Sequence, residues 1–144
     1  MARIRDSRWR TRRLLVVGYH SVSLDDEHHW SPGFSMTVAA LENRLRILKR
    51  YGCSVLPLIE ALDLVRSGGL PERAVALTFD DGFHDFQARA YPVLQSFGYP
   101  ATVFLPTCYC RFNRPVFDCV CSYILWKARG ARLCLAAVLG GDHA

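Results

Sequence analysis

Between residues 75 and 83 the chain reads VALTFDDGF, an apolar run that ends in two adjacent carboxylates, Asp80 and Asp81, followed by Gly82. Two like charges at the end of a buried strand repel each other and lose hydration. That cost is relieved when a cation sits beside them, or when one of the pair titrates unusually. Both circumstances belong to functional sites. A hard divalent ion takes oxygen or imidazole ligands, and one carboxylate can supply an oxygen. The other, held off the ion but close to a metal-bound water, can accept that water's proton. Gly82 lets the backbone turn sharply, so that both side chains face one cavity. The structural alternative is that Asp80 or Asp81 caps a helix beginning near His84. The buried run ahead of the pair favours chemistry.

The pair needs an element to hold it, and the sequence supplies one within a regular alternation. Residues 14–19 read as a first strand, apolar enough to be covered on both faces, with His20 at its carboxyl end. His20 therefore joins Asp80 and Asp81 as a candidate for shaping the site or binding substrate, against the alternative of a core histidine. The segment HSVSLDDEHHWSPGFS reads as a polar loop. From Thr37, Val38, Leu41, Leu45 and Leu48 recur at helical spacing, and Tyr51-Gly52 closes the helix. Residues 53–56 read as a second strand. Pro57 suits the first turn of a second helix, with Leu58, Ala61, Leu62 and Val65 on one face and Gly68-Gly69 ending it. Residues 75–79 are the third strand. Residues 84–97 read as a helix kinked near Pro92 and stopped by Gly98, and residues 101–105 as a fourth strand.

This order implies the α/β class, parallel strands with helices packed outside. In such sheets ligands gather at the carboxyl ends of strands, where Asp80, Asp81 and His20 all fall. Beyond Pro106 the sequence suggests helices over 119–127 and 133–139, but no fifth strand. A closed (β/α) barrel takes about 200 residues or more, so the expectation is a partial, open barrel. Such a sheet leaves an edge and an apolar interior uncovered, which predicts aggregation or dependence on a partner.

Composition narrows the classes further. The chain has 144 residues, enough for one domain, and 51% of them are apolar, which excludes a disordered chain. Of 18 basic residues 16 are arginine, and Arg3, Arg5, Arg8, Arg10, Arg12 and Arg13 form an N-terminal cluster. Such an arm can bind nucleic acid or an anionic membrane. No nucleic-acid motif accompanies it, so residues 1–13 are expected to be a solvated basic arm and no nucleic-acid partner is expected. LLVVGY is too short for a signal-peptide core, and no run of 18 apolar residues predicts a membrane span. The localisation expected by default is cytoplasmic. Cysteines at 53, 108, 110, 119, 121 and 134 are expected to be reduced thiols. The spacing in CYC and CVC is tighter than that of paired cysteines in structural zinc sites.

TFDDGF resembles the first motif of the polysaccharide deacetylase family, the NodB-homology domain of carbohydrate esterase family 4. VVGYHSV, LENRLRILKRYGCSVLPLIEAL and YPVLQSFGYPATVFLPT also resemble the N-terminal half of its bacterial members. The resemblance covers residues 14–107 and is open to extension through RPVFDCVCSYILW. It implies a distorted (β/α) barrel, filling residues 14–144 in part, and removal of acetyl groups from polymers such as chitin oligomers, peptidoglycan or poly-N-acetylglucosamine. It further implies that Asp80 is the general base and that Asp81 is a ligand of a divalent metal, commonly zinc. The family completes that metal site with two histidines spaced H-x-x-x-H on a later segment. After residue 83 this sequence has only His84 and His143, while His28 and His29 are adjacent in the earlier loop. The expectation is therefore an N-terminal portion of a deacetylase, whose own activity depends on ligands it does not show. A non-catalytic carbohydrate-binding or degenerate deacetylase-like fragment is the alternative.

Overall fold

The computed structural model describes residues 12–112 and 115–131. It divides into two compact units, with the boundary between Asn113 and Arg114. Arg3, Arg5, Arg8 and Arg10 of the basic arm, the helix expected at 133–139, Cys134 and His143 lie outside the described residues.

The first unit is built on a parallel sheet. Strand β1 (Leu15–Tyr19) pairs with β5 (Ala74–Phe79) along its whole length, in a register that sets Tyr19 opposite Phe79. The other edge of β5 is shared. Strand β4 (Ser54–Val55) pairs with its beginning, at Ala74 and Val75, and β6 (Thr102–Val103) with its end, at Thr78 and Phe79. The two strands share one six-residue edge and pair over two residues each, so the strands expected at 53–56 and 101–105 are both shorter than expected. The α/β class, the parallel pairing and the open barrel agree with the sequence reading.

All six residues of β5 are buried. Val75, Leu77 and Phe79 point into the main core, while the alternate positions carry the smaller Ala74, Ala76 and Thr78. Helix α2 (Val38–Arg50) closes the core with Leu41 and Leu45, the stripe its spacing announced. Thr37 caps that helix, its hydroxyl accepting from the Ala40 N–H at 3.2 Å. Helix α3 (Leu58–Ser67) starts behind Pro57 and ends at Gly68, whose φ of +75° is the left-handed cap that glycine tolerates. Of its expected apolar face only Ala61 is buried, and Leu62 and Val65 remain exposed.

The helix after the aspartate pair begins at residue 84, as expected. It opens into a wide π turn over Phe86–Ala90 before continuing as α4 (Tyr91–Phe97). Pro92 has no N–H, and its ring would press on the carbonyl four residues earlier. The Tyr91 N–H instead reaches back five residues to the Phe86 carbonyl, and this wider turn takes the place of a sharp kink. Ala90, Val93 and Leu94 complete the core.

The segment expected as a polar loop is more ordered than its sequence suggests. Strands β2 (Ser21–Val22) and β3 (Ser35–Met36) pair in parallel, and a short helix α1 (Glu27–Trp30) lies between them. Helix α5 (Thr107–Arg111) follows β6. In the second unit α6 (Phe117–Lys127) covers the helix expected at 119–127 and begins two residues earlier. Cys53, Cys108, Cys110 and Cys121 are free thiols. Among the described residues no helix is long and apolar enough to cross a membrane.

Candidate active site

The β1–β5 register brings His20 and Asp80 together. Each is one residue past the Tyr19–Phe79 pair, at the carboxyl ends of the two strands. The Asp80 N–H donates to the Tyr19 carbonyl at 2.8 Å, and on the other edge the Phe104 N–H donates to the Phe79 carbonyl at 2.8 Å. The backbone beneath Asp80 is thus held from both sides. His20 Nε2 lies 3.7 Å from Asp80 Oδ2, with side chains 44% and 40% exposed. At that exposure the attraction itself contributes little to stability. Its value is positional: a carboxylate open to water has an imidazole beside it.

The two aspartates then part company. Asp81 has φ +66° and Gly82 φ +57°, and the Gly82 N–H donates to the Asp80 carbonyl at 2.9 Å, closing a three-residue turn. A left-handed conformation costs a residue with a Cβ about 1–2 kcal/mol. The sequence reading gave the turn to Gly82, and the structure divides it between Gly82 and the strained Asp81. A Cβ at Gly82 would also meet the end of the exposed Leu105 side chain, which would have to swing aside. Neither aspartate caps the following helix, which begins behind Phe83.

One wall of the site is aromatic. The His20 ring packs on Phe34 at 4.7 Å between centroids, and Phe34 meets Phe83 edge-on at 5.6 Å. Phe34 comes from the segment ahead of β3, and Phe83 follows Gly82 directly. The wall therefore joins both strand ends.

Sequence reasoning missed Asp85. It is 6% exposed, and its Oδ2 accepts from the Ser21 hydroxyl and from the Val22 N–H, the latter at 3.0 Å. Among the described residues its buried Oδ1 has no hydrogen-bond partner. Burial pushes its carboxyl above the ordinary range, and nearby Glu27 adds to this, while the Ser21 and Val22 donors and the nearby Phe86 N–H, itself bonded to the Phe83 carbonyl, pull it down. The apolar stripe of this helix runs through Phe86, Ala90, Val93 and Phe97, and at α-helical spacing Asp85 stands about 100° away from it, so its burial carried no signal in the sequence.

The donor set for a metal ion is incomplete. Among the described residues no three side chains of His, Cys, Asp or Glu gather closely enough to hold one. His28 and His29 pack on each other in α1, 4.1 Å between ring centroids, and His28 Nδ1 lies 3.2 Å from the Ser23 hydroxyl. Asp81 offers one carboxylate, and these residues alone do not fit a bound divalent ion.

Comparison with known proteins gives this geometry a setting. Residues 67–113 match the polysaccharide deacetylase family model. The poly-beta-1,6-N-acetyl-D-glucosamine N-deacetylase of Escherichia coli K12 is 33% identical over 94 residues, which cover 65% of this chain and 14% of that protein. A solved de-N-acetylase from Aggregatibacter actinomycetemcomitans has a TM-score of 0.54 at 32% identity, over 62% of this chain and 36% of its own. The Streptococcus pyogenes deacetylase PplD, solved in complex with acetate, has a TM-score of 0.57 at 25% identity, over 65% of this chain and 42% of its own. The chain spans well under half the length of each of these proteins. A sequence match that includes the aspartate pair, and a fold shared over nearly two thirds of the chain, make this chain similar to part of a polysaccharide deacetylase.

Proposed function

We propose that this chain supplies the aspartate half of a polysaccharide N-deacetylase site acting on polymers of N-acetylglucosamine. In that reaction water adds to the acetyl carbonyl, the C–N bond breaks, and acetate and a free amine leave. Asp80 is the general base that takes the proton of the attacking water. The observation that carries this reading is the placement of Asp80. Its backbone is fixed on both edges of the central strand, and its carboxylate is open to solvent beside His20. The E. coli relative, named for its action on poly-beta-1,6-N-acetyl-D-glucosamine, supports an amide substrate of this class.

Each neighbour then has a part. His20, with Nε2 3.7 Å from Asp80 Oδ2, stands beside the carboxylate and steadies its orientation. Phe34 and Phe83 give the acetyl methyl or a sugar face an apolar surface to lie against. Gly82 makes the turn that separates the two carboxylates. Deacetylases of this family are generally metal-dependent, and Asp81 would give one oxygen to the ion, zinc by resemblance. The described residues supply no further ligands beside it, so the ion is not held by this portion alone.

That lone ligand favours a second reading, in which the chain binds acetylated glycan without metal and releases no acetate. One exchange separates the two. Residues 14–107 are substituted for the matched segment of the E. coli relative, and acetate release from acetylated glucosamine oligomers is measured. The first reading expects activity that falls about 100-fold or more with Asp80→Asn, the scale of a lost general base. An inactive chimera that still binds the oligomers supports the second. Full activity with Asp80→Asn removes Asp80 from the reaction.

A further inference from the structure

We propose that Asp85 is a positioning residue for the His20–Asp80 pair: its buried carboxyl anchors the segment that follows His20 and so keeps the imidazole in reach of Asp80. For its functional meaning the proposal rests on the reading of Asp80 as base.

The connection runs through adjacent residues. His20 is followed at once by Ser21 and Val22, and both donate to Asp85 Oδ2. The Ser35 hydroxyl donates to the Ser21 oxygen at 3.0 Å, which leaves the Ser21 proton directed at the carboxyl. Ser21, Val22 and Ser35 are all buried. Four residues after Asp85, Arg89 donates from Nη2 to the Leu24 carbonyl at 3.0 Å. One turn of the motif helix thus grips residues 21–24 at two points.

The segment needs such a grip. Strands β2 and β3 are two residues each, and beyond them the Ser23 N–H donates to the Met36 carbonyl at 2.8 Å, so pairing holds the segment more firmly after Val22 than at Ser21, next to His20. The Ser21 N–H reaches the Phe34 carbonyl only at 3.4 Å, a long bond. Without the carboxyl, His20 would rest on its contact with Phe34 and on the end of β1. The carboxyl is also a costly way to fill space. Among the described residues one of its oxygens has no hydrogen-bond partner, and an apolar side chain of similar size would avoid that desolvation. What the carboxyl provides that an apolar side chain cannot is an acceptor shared by Ser21 and Val22.

The test reads the His20–Asp80 contact directly, by NMR on the whole chain. The quantity is the shift of the His20 ring resonances caused by Asp80→Asn, measured in four backgrounds. In the otherwise unaltered chain the substitution is expected to move those resonances. With Asp85→Ala the response is lost. With Asp85→Asn it is retained, because the amide oxygen can accept from Ser21 and Val22 as the carboxylate does. With Ser21→Ala, which keeps the carboxyl and the Val22 bond, the response is reduced. This milder variant decides the matter if Asp85→Ala does not fold. An unchanged response in folded Asp85→Ala or in Ser21→Ala overturns the proposal, as does Asp85→Asn behaving like Asp85→Ala. Acetate release answers a separate question. A lost Asp80 dependence of acetate release with the coupling pattern intact removes the base assignment and leaves the positioning role, and the converse pattern does the reverse.

Discussion

Asp80 and Asp85 are five residues apart and live in opposite conditions. Asp80 stands open at the end of β5, on a backbone bonded from both sides, with an imidazole 3.7 Å away. Asp85 is sealed inside, bonded through one oxygen to Ser21 and Val22 and, among the described residues, without a partner at the other. The open carboxylate can meet water and substrate but contributes little to stability. The buried one cannot meet substrate, yet it fastens the segment that carries the neighbour of Asp80. On the proposed reading, one short stretch after a strand holds both a reacting group and its brace. The turn at Asp81 and Gly82 keeps the two roles apart.

The comparison can be broken first at its buried end. Asp85→Ala leaves the Ser21 hydroxyl and the Val22 N–H without their acceptor, and should lower unfolding free energy by about 1–3 kcal/mol. Asp80→Asn should change it by no more than about 0.5 kcal/mol, as for other half-exposed positions. Chemical denaturation of both variants checks this, and equal losses would erase the distinction. Gly82→Ala comes next. It forces a Cβ into the left-handed region and against Leu105, and should cost about 1–2 kcal/mol by the same measurement. A neutral result would show that the turn is not fixed as described.

A smaller effect sharpens the comparison through pH. Because burial raises the Asp85 carboxyl above its unfolded value, the folded chain binds more protons than the unfolded chain between those two values. Stability therefore falls as pH rises through that window and is fully present below it. Asp85→Asn has no such proton. Its stability relative to the unaltered chain should rise from acid toward neutral pH and then level off, as followed by thermal melts across pH. A difference that is flat with pH would mean that the carboxyl is not perturbed. Zinc provides the smallest signal. Calorimetric titration of this chain should show binding weaker than micromolar, since Asp81 lacks companion ligands among the described residues. Tighter binding would reveal a donor set elsewhere in the chain.

How far the sequence spoke for itself varies from element to element. VALTF announced β5 because a strand covered on both faces must be continuously apolar, and Leu41 and Leu45 announced the buried stripe of α2 by spacing alone. Asp80 was legible for the same reason, as a charge that ends an apolar run. The segment from 21 to 36 was not, because two-residue strands are too short to show a period, and their order comes from Asp85 and Arg89 some 60 residues away. The π turn was half legible. Pro92 announced a disturbance, and only the packing of Ala90, Val93 and Leu94 decided that it would be a widened turn. Leu62 and Val65 mark a converse case, since their helical spacing promised a buried face that this portion of the domain does not cover.

The account turns on Asp80 reacting and Asp85 bracing, and one assay sets them side by side. In the chimera that carries residues 14–107, acetate release is measured with Asp80→Asn and, separately, with Asp85→Asn. The expected result is a loss of about 100-fold or more for Asp80→Asn, while Asp85→Asn, which preserves the shared acceptor, stays within a few-fold of the unaltered chimera. Equal losses in the two variants, or undiminished release with Asp80→Asn, would contradict it.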